Sequence, residues 1–190
     1  DKNLQPILEE NLQNFSNYQI VWGDILKFSM EEIESHFDGE YDMIANLPYY
    51  ITTPIIFKFL ENATRLRSMT IMVQYEVAKR LSANEKSPSK EFGLLSILAQ
   101  FWANVEYIRK VPSRSFFPAP KVDSAIVKLT VNDKPLLDLS NYDFFKKVIK
   151  GCFATRRKNI KNSLINVGFA KNAVEKTLAD LDINENLRGE

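Results

Sequence analysis

The sequence predicts an α/β domain with a mostly parallel sheet, followed by a smaller all-α domain. Through residue 131, short β-rich runs alternate with helical patterns, as in parallel βαβ units covered by helices. The last two β-rich runs have no helical pattern between them, which predicts an antiparallel hairpin at one edge. Only helical patterns follow residue 139. We therefore place a domain boundary near Lys134-Pro135, giving domains 1–134 and 135–190.

Hydrophobic spacing and residue type place the individual elements. The predicted strands are 18–22, 41–45, 68–74, 105–111 and 122–131. The predicted helices are 3–13, 29–35, 52–61, 75–83, 92–102, 142–153, 157–167 and 172–181. Pro54 falls in the first turn of its helix, where the missing N–H is tolerated.

Composition narrows the possible classes of function. Of the 190 residues, 45% are hydrophobic and 26% are charged, as in ordinary globular proteins. No apolar run approaches the roughly 18 residues of a membrane span, and no secretory signal pattern is present. One cysteine, Cys152, and one histidine, His36, cannot form an internal disulfide, a zinc site or a Cys–His pair. We expect a monomeric cytoplasmic protein without a metal or membrane contacts.

The net charge of +1 conceals an asymmetry along the chain. Residues 1–62 carry 3 basic and 11 acidic side chains, residues 63–133 carry 11 and 6, and residues 134–190 carry 11 and 7. An acidic part followed by a basic part favours a polyanion approached from one side. A solvated surface of mixed charge fits the same counts equally well.

The tetrapeptide Asn46-Leu47-Pro48-Tyr49 follows a predicted buried strand. Ligands of open α/β sheets bind beyond the carboxyl ends of the strands. An adenine amine is a poor nucleophile because its lone pair is delocalised into the ring. The Asn46 side-chain oxygen and the Pro48 carbonyl could accept its hydrogens, and Tyr49 could stack on the base, worth about 1–3 kcal/mol. A turn that Asn46 caps and Pro48 stiffens is the alternative.

Two other segments carry candidate contacts to a base. Asp24 follows the first predicted strand, and its carboxylate suits the amine of a cofactor adenine, although Asp is also a common helix N-cap. Phe116 and Phe117 lie in the Pro-rich segment 112–121, where they would face Tyr49 across a base. A rigid loop with both rings in the core is the alternative.

A cluster of basic residues has no acidic residue within it. Apolar residues at helical spacing would leave its cations on the outer face, where they neutralise phosphates without reading sequence. A solvated helix face is the alternative. The predicted RNA-binding residues are Lys146, Lys147, Lys150, Arg156, Arg157, Lys158 and Lys161 of this cluster, and Lys121 of the Pro-rich segment.

Together these segments resemble the KsgA/RsmA family of ribosomal RNA adenine dimethyltransferases. The resemblance covers essentially the whole chain and is carried by 46–61 (NLPYYITTPIIFKFLE), 72–81 (MVQYEVAKRL), 91–95, 111–129 (VPSRSFFPAPKVDSAIVKL) and 153–164 (FATRRKNIKNSL). It implies a Rossmann-like class I methyltransferase sheet with a small helical domain. It also implies S-adenosylmethionine-dependent dimethylation of two adjacent adenosines in the 3′-terminal hairpin of 16S rRNA, with a role in ribosome biogenesis.

The resemblance also implies roles for single residues. Those implied at the target base are Asn46, Pro48, Tyr49 and Phe116. Those implied at the cofactor are Asp24, Ile25, Asn46 and, as the neighbour of a ribose-binding acid, Asp1. The helix containing Arg156 and Lys161 would dock on the small ribosomal subunit.

Part of the family's cofactor site has no counterpart in the sequence. The family has a Gly-rich loop after its first strand, whereas the six glycines here, at 23, 39, 93, 151, 168 and 189, are too widely spaced to form it. The sequence thus resembles a family member shortened at both ends. We expect residues 1–190 alone to bind S-adenosylmethionine weakly or not at all, because backbone N–H groups that face the cofactor belong to that loop.

Two alternatives differ in substrate or in catalysis. Erm-type enzymes share Asn-Leu-Pro-Tyr but methylate 23S rRNA and confer macrolide resistance. Thr52-Thr53-Pro54 and Arg156-Arg157-Lys158 favour the small-subunit family. The other alternative is a non-catalytic nucleic-acid-binding relative, against which the intact Asn46-Pro48-Tyr49 set argues.

Overall fold

The computed structural model describes residues 2–88, 90–133, 141–155 and 157–189. Its strands are β1 (Tyr41–Asn46), β2 (Leu66–Gln74), β3 (Ala103–Val111) and β4 (Ser124–Val131). Its α-helices are α1 (Gln5–Leu12), α2 (Met30–Glu34), α3 (Thr52–Asn62), α4 (Tyr75–Leu81), α5 (Leu94–Trp102), α6 (Tyr142–Ala154), α7 (Ile160–Asn166) and α8 (Lys171–Asp180). Each predicted helix is confirmed, with its ends moved by a few residues.

The described strands form one sheet in the order β1-β2-β4-β3. β1 pairs parallel with β2, whereas β4 pairs antiparallel with both β2 and β3. The predicted terminal hairpin is therefore confirmed. The described sheet is mixed rather than mostly parallel, because β4 returns between β2 and β3 and makes both of its pairings antiparallel.

The predicted strand at 18–22 is wrong. These residues follow an irregular path without ladder hydrogen bonds, and the side chains of Tyr18, Val21 and Trp22 are exposed. A β-rich composition favours an extended chain, but a strand also needs a neighbour with which to pair. No described strand pairs with this segment, so composition alone could not make it a strand.

The core lies around the two central strands. Met69, Ile71 and Val73 of β2 and Val127 and Leu129 of β4 are all fully buried. α3 and α5 contribute further buried side chains to the same cluster. Burial of each such side chain contributes roughly 1.5–3 kcal/mol, so the central strands and these helices form a rigid base for the loops at the strand ends.

α2 is fixed to the chain before β2 by a buried carboxylate. A capping box between Ser29 and Glu32 begins the helix. At its end, Glu34 accepts hydrogen bonds from the backbone N–H groups of Thr64 and Arg65 at 2.9 and 3.0 Å. Burial would raise the pKa of Glu34, but the hydrogen bonds from Thr64 and Arg65 outweigh burial and lower it.

The helices after residue 141 pack directly on the sheet domain. The Trp102 indole N–H of α5 donates to the Tyr142 hydroxyl of α6 at 2.9 Å, and that hydroxyl donates to Glu61 of α3 at 3.0 Å. Phe101 stacks on Tyr142. The boundary predicted near Lys134-Pro135 lies outside the described residues. Among the described helices, none combines the length and the apolar character needed to cross a membrane.

Candidate active site

A cleft of about 380 Å³ lies at the carboxyl end of β1. Asn46 is the last residue of β1, and a short 3₁₀ helix, Tyr49–Ile51, leads from it into α3. The opposite wall comes from the loop between β3 and β4. The cleft is lined by Asn46, Leu47, Pro48, Tyr49, Phe116, Phe117, Pro118 and Pro120. The structure thus brings the predicted target-base residues together from segments about 70 residues apart.

The Asn46 side chain is exposed at the cleft. No hydrogen-bond partner for its amide occurs among the described residues, and the 3₁₀ helix that follows has Pro48 at its N-cap position without a side-chain cap. Asn46 therefore does not act as a turn cap. Its oxygen and its N–H groups remain available to a ligand.

Tyr49 is held in place by a residue of the neighbouring hairpin. Its hydroxyl lies 2.6 Å from the Ser124 hydroxyl, the two residues being 75 positions apart. Ser124 is the first residue of β4 and is fully buried. The half-buried Tyr49 ring is thereby anchored at its polar end, while the ring lines the cleft.

The Pro48 carbonyl already has two donors within the chain. The backbone N–H of Ile51 and the hydroxyl of Thr52 both donate to it at 3.1 Å. A carbonyl oxygen has two lone pairs, so this acceptor has no remaining capacity for a substrate amine. No described donor reaches the Leu47 carbonyl one position earlier. The predicted use of the Pro48 carbonyl is therefore corrected, because the turn that starts α3 occupies the Pro48 oxygen.

The two phenylalanines of the opposite loop have different environments. Phe116 is half-buried and forms a wall of the cleft, whereas Phe117 also lines the cleft but has a fully exposed side chain. The alternative in which both rings lie in the core does not hold. Lys121 is exposed and directly follows Pro120 of the cleft, but it lines a separate depression of about 370 Å³ that also contains Tyr75.

Asp123 joins the two ends of the loop between β3 and β4, which carries Phe116. Its carboxylate accepts a hydrogen bond from the backbone N–H of Ser113 at 2.9 Å and forms an ion pair with Lys110 at 2.7 Å. The Lys110 ammonium group, followed by the Ser113 N–H, lowers the pKa of Asp123. The loop that carries Phe116 is therefore tied at both of its ends.

Of the predicted cofactor residues, Asn46 lines this cleft, whereas Asp24 and Ile25 do not. Asp24 is exposed, and its Oδ1 accepts the backbone N–H of Leu26 at 3.0 Å, so it caps a turn rather than α2. Its Oδ2 has no hydrogen-bond partner among the described residues. Ile25 lines a different cavity of about 680 Å³, formed by residues between 16 and 37. Asn46 and Phe116 share a cleft, but Asp24 does not line it, and Asp1 lies outside the described residues.

The predicted RNA-binding cluster divides into paired and unpaired cations. Lys146 forms an ion pair with Glu61 at 2.8 Å. Lys161 forms ion pairs at 2.7 and 2.9 Å with Glu175 and Glu185, which raise its pKa. In addition, the Lys147 ammonium lies 4.6 Å from the centroid of the Phe169 ring.

The other described cations of the cluster face solvent. The side chains of Lys150, Arg157 and Lys158 are exposed and have no ion-pair partner among the described residues. Arg156 lies outside the described residues. The acidic partners of Lys146 and Lys161 come from α3, α8 and the segment after α8. They could not be predicted from residues 146–161, which contain no acidic residue.

Sequence reasoning assigned no role to Ser124, Asp123 or Thr52. Each acts through a partner that the fold brings close, namely Tyr49, Ser113 and the Pro48 carbonyl. For Asp123 and Ser124 the only signal in the sequence was their position just after the Pro-rich segment, at the start of the predicted strand 122–131.

Comparison with known proteins identifies the family. Residues 1–189 match the family model described as Ribosomal RNA adenine dimethylase. The chain belongs to this family. Members of the ribosomal RNA adenine dimethylase family are methyltransferases that take the methyl group from S-adenosylmethionine. The predicted family resemblance is thereby confirmed.

The relatives of this chain include proteins named as small-subunit methyltransferases. It is 41% identical over 193 residues to Ribosomal RNA small subunit methyltransferase A of Clostridioides difficile (strain 630), covering 100% of this chain and 66% of the relative. It is 41% identical over 194 residues to the protein of the same name from Alkaliphilus oremlandii (strain OhILAs), covering 100% and 67%. The chain thus spans about two thirds of the length of these relatives.

Solved structures confirm the Rossmann-like methyltransferase fold of this chain. A dimethyladenosine transferase from Plasmodium falciparum superposes with a TM-score of 0.80 at 24% identity, covering 100% of this chain and 74% of that one. The 23S rRNA methyltransferase ErmE superposes with a TM-score of 0.71 at 25% identity, covering 100% and 72%. Erm-type enzymes are therefore relatives in fold.

Proposed function

We propose that this protein dimethylates the N6 amines of two adjacent adenosines in the 3′-terminal hairpin of small-subunit (16S) rRNA. The observation that carries the proposal is the cleft in which the unpaired Asn46 amide lies together with Tyr49 and Phe116. The two relatives named Ribosomal RNA small subunit methyltransferase A support the choice of subunit. The protein then acts in the cytoplasm during ribosome biogenesis, where small subunits are assembled.

The cleft can activate an adenine amine without a general base. Tyr49 and Phe116 provide aromatic faces for an extruded base, and each stacking contact contributes about 1–3 kcal/mol. The Asn46 side-chain oxygen and the Leu47 carbonyl accept the two amine hydrogens. With its hydrogens held, two in the first transfer and the remaining one in the second, the nitrogen can become pyramidal and direct its lone pair towards the methyl donor. After each transfer the methylated nitrogen releases one proton to water. Most of the catalysis is then positioning and dipoles matched to the positive charge that develops on the amine.

Some cofactor contacts are present in the described chain. S-adenosylmethionine supplies an electrophilic sulfonium methyl group. The unpartnered Asp24 Oδ2 fits the amine of its adenine as an acceptor, and Ile25, which lines a large cavity, fits the adenine ring. The sequence has no closely spaced glycines that could form the Gly-rich loop whose backbone N–H groups face the cofactor. Weak cofactor binding by residues 1–190 alone therefore stays a prediction.

The RNA backbone is bound by the exposed cations of the helical part. Lys150 lies near the end of α6, and Arg157 and Lys158 precede α7, all with exposed side chains. Unpaired exposed cations neutralise phosphates at little cost, whereas a cation in an ion pair must first give up its partner. Lys121 beside the cleft adds a contact close to the target base. Lys146 and Lys161 contribute mainly to packing between helices.

A methylation assay on purified ribosomal subunits tests the proposed function. The full-length protein and labelled S-adenosylmethionine are incubated with small or large subunits that lack adenine methylation, and the modified nucleotides are mapped. We expect dimethyladenosine at two adjacent positions of the small-subunit 3′ hairpin. Methylation confined to the large subunit would instead support an Erm-type enzyme. RNA binding without methylation of either subunit would support a non-catalytic relative.

A further inference from the structure

Asp123 and Ser124 connect the two walls of the cleft. The Ser124 hydroxyl lies 2.6 Å from the Tyr49 hydroxyl on one wall. The Asp123 carboxylate holds the Ser113 N–H and the Lys110 ammonium at the base of the loop that forms the other wall. Asp123 directly precedes β4 and Ser124 is its first residue, so two consecutive residues contact both walls.

We propose that Asp123 and Ser124 are positioning residues that set the separation and orientation of Tyr49 and Phe116 around the target adenine. The inference rests on the proposed function and deepens it. Neither residue lines the cleft, so both act through the aromatic residues.

Ser124 is a rigid anchor for the Tyr49 ring. It is fully buried and pairs with Gln74 of β2 on one side and Val111 of β3 on the other. Because it lies between two neighbouring strands, its hydroxyl cannot follow a moving ring. The hydrogen bond at 2.6 Å therefore restrains the tilt of Tyr49, which is otherwise only half-buried.

Asp123 fixes the opposite wall by closing the loop. Ser113 and Asp123 are ten positions apart, and Phe116 lies between them. The Asp123 carbonyl also accepts the backbone N–H of Tyr75 at 2.9 Å, which joins the loop to the start of α4. A loop tied at its base in this way presents Phe116 at a fixed distance from the end of β1.

The test separates positioning from general stability through paired variants. Methyl transfer to small subunits is measured with the full-length protein as kcat and as KM for the subunit. Ser124→Ala is expected to lower kcat by about 10-fold to 100-fold with little change in KM, because small misplacements of a reacting base cost rate. In a Tyr49→Phe background, which already lacks the hydrogen bond, Ser124→Ala is expected to have almost no further effect.

Asp123 is tested by the same logic. Asp123→Ala is expected to lower kcat. Asp123→Asn is expected to keep most of the activity, because the amide oxygen still accepts the Ser113 N–H. In a Phe116→Ala background, Asp123→Ala is expected to have little further effect. Ser115→Ala, an exposed position of the same loop, serves as the matched control and should leave kcat unchanged. Thermal unfolding of each variant identifies any that fail to fold, and Tyr49→Phe removes the Ser124 hydrogen bond without touching the buried strand.

The outcomes separate this inference from the proposed function. Suppose that the wild type is active, but Ser124→Ala lowers kcat by the same factor with and without Tyr49→Phe, and Asp123→Ala does so with and without Phe116→Ala. That result would overturn the inference and leave the proposed function standing. Unchanged kcat in both variants would also overturn it. A wild type that methylates neither subunit would refute the proposed function and the inference with it.

Discussion

Asn46→Ala is expected to abolish methyl transfer while leaving the affinity for RNA nearly unchanged. The Asn46 amide is exposed in the cleft and has no partner within the described chain, so its removal leaves no buried polar group unsatisfied. It would remove the side-chain acceptor that holds the amine as charge develops. Loss of one such dipole costs about 10²–10³-fold in kcat, and the loss of orientation adds to that. Affinity is expected to persist because phosphate contacts dominate it.

The measurement compares the single-turnover methylation rate with the dissociation constant for the small subunit. Asn46→Asp should keep part of the activity, since a carboxylate oxygen can still accept an amine hydrogen. Asn104→Ala is the matched control, because Asn104 lies exposed at the start of β3, at the opposite end of the sheet. An equal loss of rate and affinity in Asn46→Ala would show a structural role for this residue and contradict the mechanism.

Neutralising Arg157 and Lys158 is expected to weaken subunit binding and flatten its dependence on salt. Both side chains are exposed and without an ion-pair partner among the described residues, so each is available to a phosphate. Loss of two phosphate contacts should reduce the slope of log K against log salt by about 0.9 for each contact on a duplex. Binding of Arg157→Gln/Lys158→Gln, titrated at several salt concentrations, measures that slope.

Lys146→Gln/Lys161→Gln provides a matched control with the same change of charge. Lys146 is paired with Glu61, and Lys161 with Glu175 and Glu185, so their charges are already compensated within the chain. This variant should lose stability modestly, about 0–1 kcal/mol for each of these partly exposed ion pairs, and keep the salt slope of the wild type. An unaltered slope in the Arg157/Lys158 variant would exclude that surface as the binding face.

Most of the fold could be predicted because its signals are local. Helical spacing located all of the described α-helices, and the absence of a helix between β3 and β4 predicted their hairpin. The strand predicted at 18–22 was wrong, because a β-rich composition does not indicate whether another strand is available for pairing. The order of the strands, with β4 between β2 and β3, likewise depends on contacts between distant segments.

In the candidate site, too, the local features could be predicted from the sequence and the contacts between distant residues could not. Asn46, Tyr49 and Phe116 were predicted from residue type and from their positions after strands, and the structure places them in one cleft. The occupied Pro48 carbonyl was not predictable, because the donors depend on how the turn before α3 closes. The Ser124 contact joins positions 75 apart, and no local pattern reports such a distance.

The central claim is that an extruded adenine lies in the cleft between Tyr49 and Phe116. Photo-crosslinking measures this most directly, using the 3′-terminal hairpin of small-subunit rRNA with 8-azidoadenosine at the target position and the full-length protein. After irradiation, the modified peptides are identified by mass spectrometry. Adducts within 46–50 and 113–121 are the predicted result. Adducts confined to the helices between 142 and 166, with none in the cleft, would contradict the account.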